Sequence, residues 1–404
     1  MTRAVSSALG QADAVYISTY PPRRCGLATF TEHLASAVSA ASPGSASWVV
    51  ALDEPGMRYK YSAAVQAVIR QDVTTDYLSA AELLNGCSRV VSLQHEFGIF
   101  GGKAGENVLL LLSRLRVPVV TTLHTILTRP EPEYDRVLRE VCRLSRALVV
   151  MTHAGKRLLQ DKCGVPPAKV QVIPHGTPRP VPGQRVRARK TLGLSGHFVL
   201  CTLGLLSRGK GIEYVLQALP AVIPRVPRLL YLVVGQTHPQ VLRREGEGYR
   251  QSLLDLAEKL GISEHVRFVD RYLTESELIQ YLLASDVYLT PYLSDQQICS
   301  GTLSYAVGMA KPIISTPYAH ALELLANGTG VLVPFRDAGA LSSAVLRLAH
   351  SPAIRRRLAT LADTIGNAMS WPRVGHSYAH LFRSLAGSAG RYGAFAEHTP
   401  ASTA

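Results

Sequence analysis

The chain has 404 residues, 47% hydrophobic and 18% charged, which is enough for two or three packed domains and excludes a disordered or collagen-like protein. Its 43 Lys and Arg against 29 Asp and Glu give a net charge of +14; this favours anionic partners without choosing among phosphates, nucleic acid and an acidic membrane surface. Six scattered cysteines, with no CxxC and no His cluster at ligand spacing, signal neither a disulfide framework nor a metal site.

The first fifteen or so residues carry no apolar segment of the length a secretion signal needs. Apolar runs such as Val108–Leu112 are far short of the ~20 residues that span a bilayer. A reduced cytoplasm is the expected setting, with peripheral contact at the inner face of an anionic membrane as a secondary expectation for a basic first half. Along the chain, short β-branched runs alternate with amphipathic helical patterns: AVYIS at 14–18, RVVSL at 89–93, VPVVTTL at 117–123 and ALVVM at 147–151. That rhythm predicts βαβ units around a parallel sheet. After the first run, Leu27, Phe30, Leu34 and Val38 recur at helical spacing, so TYPPRRCG forms a turn at the strand's carboxyl end, where α/β proteins bind ligands. Arg24 and Gly26 lie in that turn, His95 and Glu96 follow the second run, and His124 follows the third. Any one of these histidines reads most simply as a structural residue; their recurrence at equivalent strand ends describes a polar lip on one sheet edge. HEFGI lacks the second His of HExxH, so no zinc protease is indicated.

Residues 175–190, HGTPRPVPGQRVRARK, break every periodicity and are expected to be a linker. A second strand series follows: FVLCTLG at 198–204, LLYLVVG at 229–235, VRFVD at 266–270, VYLTP at 287–291, PIIST at 312–316 and GVLVP at 330–334. In LGLLSRGKG a strand ends in a turn containing Gly204, Arg208 and Lys210, and a helix begins near Ile212. Backbone N–H groups and two cations would converge there on an anion, a diphosphate being the natural guest. The segment is neither GxxxxGK[ST] nor GxGxxG, so an ATP loop and a nicotinamide fingerprint are both unsupported. Thr274 and Glu277 form a capping box, and Ser300, Gly301 and Thr302 open a further helix that offers hydroxyls and free N–H groups. Read alone, that second start is an ordinary N-cap; its position two βα units beyond the first anion site gives it weight. Near the end, Trp371, Val374, Tyr378, Leu381 and Leu385 keep helical spacing, and the Gly, Ser and Ala-rich end at 387–404 is expected to fray.

From about residue 14 to 385 the sequence resembles the retaining nucleotide-sugar glycosyltransferases of family 4. Five pieces carry the resemblance: the turn around Gly26, VVTTLHT, VQVIPHGT, GLLSRGKG, and DVYLTPY followed by SGTLSYAVGMAKPIIST and ALELL. The resemblance implies a GT-B fold: an α/β architecture of two facing Rossmann-like domains with parallel sheets. Residues 12–182, joined by a crossover helix at 371–386, would bind the acceptor, and residues 190–370 the nucleotide sugar. It further implies that Lys210 is the phosphate-binding lysine and that His124 lies beside the donor sugar. Arg24, Gly26, His95 and Glu96 would face a sugar, glycolipid or small-molecule acceptor. Glu323 matches a glutamate of the donor site, which would also include Gly204, Gln297, Ser300, Gly301 and Thr302.

Two departures stand out. Leu205 occupies the position where the family has Arg, so Arg208 would supply that charge from three residues on. The two glutamates of the family's E-x7-E element are replaced by Gln297 and Tyr305. The implied activity moves a hexose from a nucleoside diphosphate sugar, GDP-mannose or a UDP-hexose, to an acceptor hydroxyl with retention, needing no cofactor and no metal. Lys210, Arg208 and the helix start would answer the charge that develops on the leaving diphosphate, with His124 orienting the sugar. A sugar phosphorylase or nucleotide-sugar epimerase on the same fold is one alternative. A non-catalytic polyanion-binding protein acting through Arg185, Arg187, Arg189 and Lys190, or Arg355, Arg356 and Arg357, is another; without aromatic interleaving, nucleic acid is not an expected partner.

Overall fold

A computed structural model describes residues 10–387; the end expected to fray, from 388 on, lies outside them. The chain divides into two compact units, one formed by the described residues up to Pro174 together with those from Trp371 on, the other by His175–Ser370.

The first unit has a seven-stranded sheet of β1 (Ala14–Ser18), β2 (Ser47–Asp53), β3 (Val65–Arg70), β4 (Val91–His95), β5 (Val119–Leu123), β6 (Ala147–Val150) and β7 (Val170–Val172), in the order β3-β2-β1-β4-β5-β6-β7. Every pairing is parallel. Strands covered on both faces read as unbroken apolar runs, and β1 and β5 are buried at every residue. The sequence reading passed over β2 and β3. β3 alternates exposed and covered residues at the sheet edge, which leaves no apolar run to detect.

The Gly26–Ala41 helix carries Phe30, Leu34 and Val38 inward. The final helix, Trp371–Ala386, packs against it, with the Trp371 ring 5.4 Å from Phe30 and stacked at 5.3 Å on His33. Gly375 makes this close approach possible: a Cβ there would lie 2.4 Å from the Ala37 carbonyl oxygen. Two turns further along the final helix the Tyr378 hydroxyl meets Thr122 Oγ1 at 2.9 Å.

The second unit is a six-stranded parallel sheet of β8 (Phe198–Leu203), β9 (Leu229–Val234), β10 (Val266–Val269), β11 (Val287–Thr290), β12 (Ile313–Ser315) and β13 (Val331–Leu332), ordered β10-β9-β8-β11-β12-β13. In each sheet the first strand lies inside and the order reverses beside it, at β1/β4 and β8/β11, which opens a crevice at the carboxyl ends of those strands. The capping box forms as expected, the Thr274 Oγ1 accepting from Glu277 N–H and the Glu277 carboxylate from Thr274 N–H.

The stretch 175–190, expected to be a linker, differs from that reading. Gln184–Thr191 is a helix packed on the Glu275–Ala284 helix. Arg185 and Arg189 both pair with Asp286, at 2.7 and 3.1 Å, and Asp286 also accepts from Val199 N–H at 2.8 Å. The local polar composition hid this because two of its cations are satisfied by an acid about a hundred residues away. No described helix is long and apolar enough to cross a membrane.

Candidate active site

In the His175–Ser370 unit the loops after β8 and β11 flank the crevice at the strand reversal, and they are tied together. The Leu293 N–H donates to the Gly209 carbonyl at 3.0 Å. Gly211, at φ +65°, passes so close to the other loop that a Cβ would lie 2.1 Å from the Pro291 oxygen. Only glycine fits both that conformation and that space.

This junction brings four expected donor-site residues together around one that was not expected. Lys210 Nζ donates to the Tyr292 hydroxyl at 2.7 Å and lies 4.1 Å from the centre of its ring. The Tyr292 hydroxyl meets Thr302 Oγ1 at 3.2 Å, and Thr302 Oγ1 lies 3.4 Å from Ser300 Oγ. Gly204, at φ +117°, closes the group: a Cβ there would sit 3.5 Å from the Thr302 methyl and 3.7 Å from Lys210 Nζ. Burial would push the Tyr292 phenol up, but the Lys210 ammonium and surrounding hydrogen bonds bring it below the ordinary value, to about 8.

Ser300 caps the Gly301–Gly308 helix through its side chain, which accepts from Leu303 N–H at 3.3 Å. Its own N–H donates to Nδ1 of His320 at 2.8 Å. His320 is buried in the first turn of the Ala319–Leu325 helix, and burial, aided by the nearby His175, pushes its pKa down to about 3. The ring is therefore neutral, accepting at Nδ1 with its hydrogen on Nε2. His175 lies on the other side of the helix start, its Nε2 3.2 Å from where a Gly301 Cβ would be.

The remaining expected residues fall less uniformly. Arg208 is not brought into the cluster: its side chain is 63% exposed, bound to Glu245 at 3.0 Å and lying over the Tyr249 ring. Gln297 spends its amide on the Cys299 carbonyl at 2.8 Å, while its backbone oxygen accepts from His320 N–H. Tyr305, standing where the family has its second glutamate, is buried and donates to the Glu275 carboxylate from a different helix. Glu323 sits half-buried one turn after His320.

In the first unit, His124 Nε2 meets Gln94 Oε1 at 3.0 Å, and its ring stands edge-on to Phe30 at 4.8 Å. The amide oxygen can only accept, so the hydrogen is on Nε2. Glu96 accepts from Thr125 Oγ1 and is raised by burial, against which that bond and the N–H groups of Phe97 and Gly98 act. Arg24 and Gly26 are exposed at the start of the Gly26–Ala41 helix. His95 departs from the expected polar lip. It is completely buried between Phe97 and Phe100, neither ring nitrogen has a partner, and burial lowers its pKa to about 4. Its place is the apolar layer beneath the strand ends.

Sequence reasoning missed Tyr292, His320 and His175. Tyr292 and His175 lie in motifs that carried the family resemblance and His320 in the four residues between two of them, but a motif does not say which of its residues turns toward the lysine or the helix start. Among the described residues no group of three or more His, Cys, Asp or Glu side chains is placed to hold a metal ion.

Known proteins resemble this chain in both sequence and fold. Residues 197–351 match the model for "Glycosyl transferases group 1", and residues 99–179 the model for "Glycosyltransferase Family 4". The chain belongs to the family 4 glycosyltransferases. It is 27% identical over 300 residues to a D-inositol 3-phosphate glycosyltransferase of Nocardiopsis dassonvillei, covering 70% of this chain and 68% of that one. It is also 29% identical over 197 residues to a GDP-mannose-dependent alpha-(1-6)-phosphatidylinositol monomannoside mannosyltransferase of Mycolicibacterium smegmatis, covering 46% and 49%. Among solved structures, Anabaena Alr3699/HepE in complex with UDP superposes with a TM-score of 0.72 at 16% identity over 92% of this chain and 100% of that one. Sucrose-phosphate synthase of Thermosynechococcus elongatus superposes with a TM-score of 0.72 at 19% identity, covering 93% and 99%. This family 4 glycosyltransferase thus has the GT-B fold of two Rossmann-like parallel-sheet domains, with its last helix returning to the first.

Proposed function

We propose that this glycosyltransferase moves a hexose from a nucleoside diphosphate sugar to an acceptor hydroxyl with retention of configuration. The observation that carries the reading is the cluster of Lys210, Thr302, Ser300 and Gly204 at the β8/β11 reversal. One fixed cation, two hydroxyls, a bare glycine backbone and an N-capped helix start are the parts that hold a diphosphate. GDP-mannose or a UDP-hexose is the donor: one relative is named as GDP-mannose-dependent, and structures of HepE contain UDP and UDP-glucose. The D-inositol 3-phosphate relatives favour a polyol or glycolipid acceptor, received by the first unit through Arg24, Gly26 and Glu96.

As the bond between the anomeric carbon and the diphosphate oxygen breaks, negative charge grows on the leaving group, where Lys210 and the helix start stabilise it. The acceptor oxygen bonds to the anomeric carbon on the same face, and its proton passes to the departing diphosphate. His124, held by Gln94 with its hydrogen on Nε2, orients the sugar. Arg208 contributes only once it leaves Glu245.

The polyanion-binding alternative is disfavoured because three of its seven cations have internal partners. Arg185 and Arg189 bind Asp286, and Arg355 donates to the Leu348 and Ala349 carbonyls. A thermal-shift screen across UDP-, GDP-, ADP- and TDP-sugars tests the donor, because a ligand bound only by the native state raises the melting point. The proton NMR spectrum of the product then reads the anomer. Stabilisation by none of them, or an inverted product, refutes the reading; disaccharide cleavage by inorganic phosphate would move the assignment to a phosphorylase.

A further inference from the structure

One hydrogen bond at Tyr292 has a direction that its donor atom dictates. An ammonium has no lone pair to offer, so in the 2.7 Å contact Lys210 donates and the Tyr292 oxygen accepts. The Tyr292 oxygen and Thr302 Oγ1 lie 3.2 Å apart, a contact in which either hydroxyl can donate. Where the phenol donates, Thr302 is left as a donor in turn. Ser300 Oγ lies 3.4 Å away, at the limit of a hydrogen bond, and already accepts from Leu303 N–H, while the buried Tyr288 phenol is a further neighbour of the Thr302 hydroxyl. With the phenol as donor, the chain ends in the Thr302 hydroxyl hydrogen beside the ammonium and beside Gly204, the arrangement an anion with several oxygens requires. The phenol is 2% exposed and stacked on Tyr318 with ring centres 5.0 Å apart and planes within 16°, so packing fixes its orientation.

We propose that Tyr292 is a positioning residue for the donor's diphosphate: its hydroxyl holds the Lys210 ammonium and turns the Thr302 hydroxyl outward as a second donor. The proposal rests on the reading of this crevice as the donor site, and it predicts that Tyr292 discriminates diphosphate from monophosphate.

The test is calorimetric titration of wild type and Tyr292→Phe with the nucleoside diphosphate that wild type binds and with its monophosphate. Tyr292→Phe keeps the ring and its stacking and removes only the oxygen. Diphosphate affinity should fall about tenfold, as expected for losing hydrogen bonds involving a charged group, while monophosphate affinity changes less than about twofold. In a Lys210→Met background, where there is no ammonium to position, adding Tyr292→Phe should have a much smaller effect. Thr302→Val, which keeps the side-chain shape, should reproduce the diphosphate-selective loss and serves if Tyr292→Phe folds poorly. Equal diphosphate affinity in Tyr292→Phe and wild type, or equal losses for both nucleotides, overturns the proposal. Wild type binding no nucleoside diphosphate at all instead overturns the donor-site reading.

Discussion

His320 couples acidity to the stability of the His175–Ser370 unit. Its buried ring must stay neutral to accept the Ser300 N–H at 2.8 Å, and its pKa is pushed from the ordinary 6.5 down to about 3. The unfolded chain therefore binds a proton that the folded one refuses wherever the pH lies between those values. Stability is fully present above about pH 6.5 and is lost as the pH falls toward 3. One titrating histidine then costs about 2 kcal/mol between pH 7 and pH 5. His320→Asn offers Oδ1 near the place of Nδ1, keeps an acceptor for Ser300 and cannot titrate, so it should remove that increment. Urea unfolding followed by far-ultraviolet circular dichroism at both pH values checks this through the difference between wild type and variant, since other groups, His95 included, titrate in both. Identical pH-dependent losses in the two proteins would refute the argument. His320→Leu leaves the Ser300 N–H unpaired and should lower stability by about 1 to 3 kcal/mol even at pH 7.

Lys210→Ala should leave the circular dichroism spectrum unchanged and reduce turnover by on the order of a hundredfold or more, since it removes a charge needed most as the diphosphate departs; near-normal turnover would dismiss Lys210 from this role. His124→Ala should lower kcat much more than donor affinity, and steady-state kinetics with a parallel binding titration would show it. Gly375→Ala forces a Cβ to within 2.4 Å of the Ala37 oxygen, so the two helices must separate at a cost of about 1 to 3 kcal/mol; the fluorescence of Trp371, which packs between them, reports the change. Glu245→Gln frees Arg208 from an exposed pair with less than about 1 kcal/mol effect on stability. It should raise nucleoside diphosphate affinity at low salt and lose that gain near 1 M salt, where screening is strong; an unchanged low-salt affinity would show that Arg208 stays outside the site.

Much of the fold was legible because fully buried parallel strands leave unbroken apolar runs such as AVYIS and LLYLVV, and because Thr274 and Glu277 cap their helix within a few residues of sequence. Strand β3 escaped because an edge strand has one solvated face. The linker reading of 175–190 failed because the two arginines that made it look solvent-bound meet Asp286 only in three dimensions.

Local chemistry written in the chain determined the alternation of strands and helices, the glycine turn before Ile212, the Ser300 cap and the family. Tertiary structure decided which of those groups meet. It joined Lys210 to Thr302 through Tyr292, turned Arg208 to Glu245, buried His95 among aromatic rings and placed His320 behind the Ser300 cap. Capping and apolar periodicity act over a few residues and are visible in a one-dimensional string. Hydrogen-bonding partners and desolvation depend on neighbours that only the tertiary fold brings within reach.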